Sequence, residues 1–152
     1  MDSKTHWSGV YQAKAVTDVS WYQDNPVLSL DFIRHAAPDP AARIIDAGAG
    51  ASTLADHLLD AGYRDLTLLD LSAEALDAVR RALKPGGHLI LATFGPDGPT
   101  QCSGLPVARY DAQALHAELG EVFELLDSAT ETHRTPWGSE QQFTYILCRV
   151  QG

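Results

Sequence analysis

Residues 43–52 read Arg-Ile-Ile-Asp-Ala-Gly-Ala-Gly-Ala-Ser, a short apolar run that leads at once into a glycine-rich turn. The run is typical of a buried strand. Gly48 and Gly50 allow a tight bend and a close backbone approach to a ligand. A helix is expected to begin at Ser52 or the next residue, so that its N-terminus lies just behind the turn. This order predicts a nucleoside-binding α/β sheet.

Two acidic residues narrow the choice of nucleoside. Asp46 precedes Gly48 by two residues, where a carboxylate would repel a pyrophosphate but suit a ligand with ammonium and sulfonium charges. A second predicted strand ends at Asp70, which can accept both ribose hydroxyls. The third glycine of a dinucleotide fingerprint is replaced by Thr53. Together these features favour S-adenosylmethionine (SAM) over NAD, although Asp46 is also compatible with an ordinary turn and Asp70 with capping the next helix.

The remaining pattern alternates helices and strands, as in an α/β sheet. The apolar spacing and the turn signals predict helices from Pro26 to the Pro38 region, from Ser52 to Gly62, from Ala73 to Leu83 and after Asp111. They predict strands at Arg43–Ala47, Leu66–Asp70, His88–Phe94, Glu121–Leu126 and Phe143–Val150, with a long loop at Gly95–Val107. We expect one domain over residues 1–152, comprising an N-terminal cover and helix (1–36), a cofactor-binding core (43–93) and a substrate-side loop with C-terminal strands (94–152).

The composition limits the possible partners. The 152 residues carry 20 acidic against 11 basic side chains, a formal net charge of -9, and this acidity argues against nucleic acid. No apolar run approaches the length of a membrane span, and Met1–Tyr22 is too polar for a secretory signal, so a cytoplasmic protein is expected. Cys102 and Cys148 have no partners at metal-binding spacing, and no metal site is predicted.

The chain resembles class I SAM-dependent methyltransferases of a small bacterial type. The similarity rests on segments spread over almost the whole sequence. They are His6–Tyr11, Val19–Gln23, Ile45–Ser52, Leu69–Ser72 with Ala75-Leu76, Leu83–Gly87, Cys102–Leu105, Arg109–Asp111 and His133–Phe143.

The resemblance implies that the protein binds SAM and that S-adenosylhomocysteine is the product left after methyl transfer. By this likeness Asp46, Gly48, Gly50 and Ser52 line the methionine and ribose side. Asp70 binds the ribose diol and Leu71 flanks the adenine. Trp21 and Tyr22 are candidates to close over the cofactor, with core packing as the alternative.

One departure from the family is a short connection. Lys84 comes only fourteen positions after Asp70, whereas the family normally has two more strands in between, one near the adenine and one beside the transferable methyl group. The expected result is a Rossmann-like sheet reduced to about five strands. Either the first strand pairs directly with the Leu89 strand, or two chains join sheets or exchange segments, and we expect a homodimer.

The sequence assigns no catalytic residue, since methyl transfer from SAM depends mainly on positioning. The substrate-side candidates lie in the loops expected after the later strands: Phe94, Cys102, Arg109, Tyr110 and His133. For Arg109 and Tyr110 the alternative is a role at the start of the Asp111 helix, and for His133 a solvated loop. The expected function is methyl transfer to a small molecule. The alternative is a non-catalytic SAM or S-adenosylhomocysteine binder, or an assembly protein.

Overall fold

The computed structural model describes residues 22–47, 52–69, 83–102 and 104–151. The chain divides between Leu83 and Lys84 into two compact units. Within the described ranges, no helix is long and apolar enough to cross a membrane. The helix predicted over Ala73–Leu83 lies almost wholly outside these residues.

The first unit contains two helices, α1 (Val27–Ala36) and α2 (Leu54–Asp60), and two strands, β1 (Arg43–Ala47) and β2 (Asp65–Leu69). Each was predicted to within about two residues at either end. Helix α1 buries Leu30, Phe32 and Ile33 and ends before Pro38, which restricts the residue before it to extended conformations. The carbonyl of its C-cap residue, Ala37, accepts a hydrogen bond of 2.6 Å from the Tyr63 hydroxyl.

Helix α2 stops at a glycine, as its sequence predicts. Gly62 has φ +98°, and its amide donates to the Leu59 carbonyl while the Tyr63 amide donates to Leu58. These two bonds form a Schellman motif, which satisfies carbonyls that the helix itself leaves without donors. The turn directs the chain into β2, which pairs in parallel with β1.

The second unit is built around its last strand. Strands β3 (His88–Phe94), β6 (Phe123–Arg134) and β7 (Glu140–Val150) form an antiparallel sheet in the order β3-β7-β6. In β7, residues Thr144–Cys148 are all buried, so this central strand carries the core of the unit. Helix α3 (Ala112–Leu119) packs on β6 and β7. Its N-cap Asp111 accepts the Ala114 amide at 2.8 Å, and this cap was predicted.

Two predictions about the second unit were wrong. Strand β6 continues eight residues past Leu126, because the polar segment from Asp127 to Arg134 still pairs with β7. A register shift between Leu125 and Asp127 leaves Leu126 outside the ladder and 39% exposed. The long loop after β3 also contains a small hairpin, β4 (Gln101–Cys102) with β5 (Leu105–Pro106).

The described residues thus contain five main strands and one short hairpin, in keeping with a reduced α/β sheet. Direct pairing of β1 with β3 stays a prediction, as does the single domain over residues 1–152.

The placement of the core in β7 predicts different losses of stability for the same substitution at two leucines. Leu147→Ala removes a side chain with no exposed surface and should lower the free energy of unfolding by about 2–5 kcal/mol. Leu126→Ala makes the same chemical change at the bulge and should cost less than about 1 kcal/mol. Urea denaturation followed by circular dichroism measures both. Equal losses would contradict the placement of the core in β7.

Candidate functional site

The parallel pairing of β1 and β2 brings the two predicted cofactor segments to the same edge of the first unit. The register pairs Asp46 with Leu68 and Ala47 with Leu69. The next residues along the chain are Gly48 and Asp70. Gly48, Gly50, Asp70 and Leu71 lie outside the described residues, and their predicted roles stay predictions. What the described strands establish is that both segments leave the sheet at its carboxyl end, where open α/β sheets bind ligands.

Asp46 stands at this edge in an unusual environment for a carboxylate. Its side chain is half-buried, and burial raises the pKa of the carboxyl above its ordinary 3.8. Among the described residues, no cation or hydrogen-bond donor pairs with this side chain. A half-buried carboxylate in such surroundings fits a ligand that brings its own positive charge, because the charge would offset the loss of hydration.

The start of α2 holds the N-terminal segment in place. The Ser52 hydroxyl accepts the Leu54 amide at 3.1 Å, so this predicted cofactor residue satisfies the first amide of the helix, while Thr53 occupies the N-cap without a side-chain cap. The Thr53 hydroxyl donates to the Gln23 carbonyl at 2.8 Å, and His57 Nε2 lies 2.9 Å from the Asp24 carbonyl oxygen. Residues 23–24 are therefore fastened to the helix that follows the glycine turn.

Tyr22 directly precedes this fastened segment. It is half-buried, and its hydroxyl lies 3.4 Å from Asp24 Oδ1. Trp21 lies outside the described residues. The attachment at Gln23 keeps Tyr22 near the N-terminus of α2, as the predicted covering role requires. The choice between cofactor closure and core packing remains a prediction for both aromatic residues.

A groove of about 410 Å³ lies between α1 and α2. Its lining residues are Asn25, Val27, Leu30, Arg34, His57, Asp60 and Ala61. None of the predicted site residues that the structure describes is among them. Because its polar side chains are widely distributed and mostly exposed, we assign the groove no chemistry.

In the second unit, two substrate-side candidates, Phe94 and His133, lie against the same ring, that of Phe143. Phe94, at the carboxyl end of β3, pairs with Phe143, and their ring centroids lie 4.9 Å apart at an interplanar angle of 33°. The His133 ring lies edge-on to Phe143 at 6.2 Å. His133 is therefore a residue of strand β6, and its predicted position in a loop was wrong. Phe143 joins the two candidates and was missed, because the sequence marked it only as a strand residue.

Two polar residues on the same face were also missed. Glu131 is paired with Phe143, and Tyr145 follows two positions later on β7, so both side chains share the face of Phe94. The Tyr145 hydroxyl donates to Glu131 at 3.2 Å. Had the strand character of Asp127–Arg134 been recognised, its two-residue period would have placed Glu131 and His133 together.

Arg109 and Tyr110 make hydrogen bonds to the end of β3 and to the loop that follows it. The Arg109 guanidinium donates to the Pro96 carbonyl at 2.9 Å and lies 3.4 Å from the Gly98 carbonyl. The Tyr110 amide donates to the Phe94 carbonyl at 2.9 Å. These bonds hold the Gly95–Gly98 turn in place. The Gln142 side chain also holds it, since it accepts the Asp97 amide and donates to the Asp97 carboxylate. The alternative reading, a structural role before the Asp111 helix, therefore accounts for the contacts of both residues.

Cys102 lies in the short β4–β5 hairpin and is partly exposed. Among the described residues, no group of three His, Cys, Asp or Glu side chains is placed to hold a metal ion.

Solved structures resemble this chain over nearly its whole length. A SAM-dependent methyltransferase from Anabaena variabilis superposes with a TM-score of 0.66 at 11% identity, covering 99% of this chain and 96% of that one. The chain has the fold of a SAM-dependent methyltransferase. A second structure comes from work on the conversion of a disulfide bond into a thioacetal group during echinomycin biosynthesis. It gives a TM-score of 0.72 at 14% identity and covers 99% of this chain and 94% of the other.

Sequence similarity is more limited. No protein-family model matches the chain. The mouse eEF1A lysine and N-terminal methyltransferase is 30% identical over 70 residues, which are 46% of this chain and 10% of the mouse protein. Because the chain spans about a tenth of that relative, the similarity leaves activity and substrate to be argued from the site.

Asp46 gives a pH-dependent stability test of the unliganded protein. Burial raises the folded-state pKa of Asp46 above 3.8, so the folded chain holds this proton more tightly than the unfolded chain. Folding stability therefore falls as pH rises from 3.8 through the folded-state pKa, and the full penalty is present above it. Asp46→Asn cannot ionise and should stabilise the protein at pH 7, with a gain that shrinks towards pH 3.8.

Denaturation curves at several pH values measure this gain. Asp65→Asn is the control, since it removes an exposed carboxylate from the neighbouring strand. A gain for Asp46→Asn that is absent at pH 7, or that does not change with pH, would contradict the burial of an unpaired carboxylate.

Proposed function

We propose that this protein is a SAM-dependent methyltransferase that acts on a small-molecule acceptor. The observation that carries the proposal is the parallel register of β1 and β2, in which Ala47 pairs with Leu69 and the glycine turn and Asp70 follow directly. The methyltransferase fold of the solved neighbours supports it, as does the partial similarity to the mouse enzyme.

The residues of the first unit fit this cofactor. SAM supplies a methyl group already activated on a sulfonium, so the protein needs to bind and position rather than to generate a strong acid or base. Asp46 would hold the positive charge of the methionine end. Asp70 would accept the ribose hydroxyls, and Ser52 holds the first turn of α2 in place beside the glycine turn. The segment at Tyr22 would exclude water from that side.

A second candidate function is a protein that binds SAM or S-adenosylhomocysteine without turnover. The observation that favours it is the connection of thirteen residues between Asp70 and Lys84, which is too short for the strand that lies beside the methyl group in the resembled family. The product is bound by the same residues in both cases, so turnover distinguishes the two.

Calorimetry with SAM tests the cofactor site. The wild-type protein should bind SAM. Asp70→Ala should weaken binding by about 1.5–3 kcal/mol, or roughly 10- to 150-fold, because it removes charge-assisted hydrogen bonds. Asp65→Ala, at the N-terminal end of β2, should bind as the wild type does. Failure of the wild type to bind SAM would refute both candidate functions, and binding without turnover on an acceptor panel would favour the second.

We further propose that the protein is a cytoplasmic homodimer. Parallel strands are normally covered on both faces, yet Ile45 in β1 is 43% exposed and Leu68 in β2 is 53% exposed. The two side chains lie on opposite faces of the pair. A second copy of the chain that covers this apolar surface would restore the usual burial, and the short connection after Asp70 removes a source of cover within the chain.

Light scattering after size exclusion tests the dimer. At micromolar concentration the mass should be twice the 16.4 kDa of one chain. Ile45→Gln should shift the mass towards the monomer, whereas Val122→Gln, at a 60% exposed position in the second unit, should not. A monomeric wild type would exclude the dimer.

A further inference from the structure

The segment that leads into α1 is attached to α2 by two side chains of the α2 region. This segment, residues 22–25, is called the strap. The Thr53 hydroxyl donates to the Gln23 carbonyl at 2.8 Å. His57 Nε2 lies 2.9 Å from the backbone carbonyl oxygen of Asp24, and because a carbonyl oxygen can only accept, this nitrogen donates. Two adjacent carbonyls of the strap are therefore held from the same stretch of chain.

The spacing of Thr53 and His57 allows them to act together. They are four residues apart in the sequence, about one helical turn, so their side chains lie one above the other on the same face. The His57 amide also donates to the Thr53 carbonyl at 3.2 Å, so the backbone of the first turn fixes the distance between the two side chains. Each side chain therefore supplies one of two bonds that restrain the strap at neighbouring points.

Thr53 uses its hydroxyl in a way that differs from an ordinary helix cap. A threonine at the N-cap usually accepts an amide of the first turn through its side chain, but Thr53 makes no such bond. The Ser52 hydroxyl accepts the Leu54 amide instead, which leaves the Thr53 hydroxyl to bond the strap. Ser52 and Thr53 also follow the predicted glycine turn directly along the chain. The strap is therefore attached at the place where that turn enters α2.

We propose that Thr53 and His57 are positioning residues for the cofactor, because they hold the strap in one arrangement and SAM binds the protein in that arrangement alone. This inference rests on the proposed function, in which the segment at Tyr22 excludes water from the cofactor. A strap that is already ordered in the free protein spares the ligand the entropic cost of ordering it. A ligand that binds one of two arrangements also shifts the population towards it. The strap and the cofactor therefore stabilise each other.

Proteolysis of the full chain with chymotrypsin measures the opening of the strap, because this protease cleaves after tyrosine. Cleavage after Tyr22 requires residues 23 and 24 to leave α2 and enter the protease, and mass spectrometry detects the fragment that begins at Gln23. At a SAM concentration ten times its dissociation constant, cleavage of the wild type should slow about tenfold, because open molecules become rarer by that factor. SAM that binds open and attached straps equally would leave the rate unchanged, and this result would overturn the proposal.

Thr53→Val and His57→Leu remove the two bonds separately. Each should speed cleavage after Tyr22 in the protein without SAM by about fivefold, and the double variant by about 25-fold, since one hydrogen bond is lost at each site. In calorimetry the double variant should bind SAM about three- to tenfold more weakly, because a smaller fraction of it holds the strap in the binding arrangement. Thr53→Ser keeps the hydroxyl and should restore both quantities to near their wild-type values.

Thr67→Val and His35→Leu are the matched control variants. They make the same chemical changes at exposed positions of the first unit, in β2 and in the last turn of α1. Neither should change the cleavage rate or the affinity for SAM. A small peptide substrate shows whether SAM affects chymotrypsin itself. If Thr53 and His57 only stabilise the fold, their folded variants will bind SAM as the wild type does, and this result would also overturn the proposal.

The failure of this inference is distinguishable from the failure of the proposed function. If the wild type binds SAM and its cleavage after Tyr22 does not slow, the strap is not linked to the cofactor and the proposed function stands. If the wild type does not bind SAM, both proposals fail. The comparison of the wild type with and without SAM needs no substitution, so it decides the matter even if a variant fails to fold.

Discussion

The parallel pairing of β1 with β2 is the constraint on which the first unit depends. A parallel ladder can form only when a crossover returns the chain to the starting edge, and the connection that contains α2 and its glycine-terminated last turn makes that return in the seventeen residues between Ala47 and Asp65. The register then determines which residues leave the sheet together. A shift of one residue would turn Asp46 to the other face and separate the glycine turn from the acid that follows β2.

The second unit depends on a different constraint, the burial of Thr144–Cys148 in β7. A strand with neighbours on both sides has its backbone fully paired, and the apolar run through Ile146, Leu147 and Cys148 supplies the core. Towards Glu140 the same strand becomes half-exposed and carries glutamine and aromatic residues. The same strand therefore supplies the apolar core of the unit at one end and carries polar and aromatic side chains at the other.

Sequence reasoning succeeded where a local signal fixes a local structure. Pro38 and Gly62 each end a helix through the backbone preference of that single residue, and Asp111 begins one through its side-chain cap. It failed for Asp127–Arg134, because a polar composition favours a loop whereas pairing with the long strand β7 makes the segment a strand. Tertiary pairing overrode composition there. The same failure hid Glu131 and misplaced His133, since which side chains share a face follows only from the strand register.

Asp46 and Gln141 illustrate one physical principle at two places in the chain. Each is a polar group withdrawn from water, and among the described residues neither has a side-chain partner. In a folded protein such groups are rare because each lowers stability. A positively charged ligand would offset this cost at Asp46, where the penalty comes from ionisation and therefore depends on pH. At Gln141 the cost comes from a neutral carbonyl oxygen, so it is the same at every pH at which the protein folds.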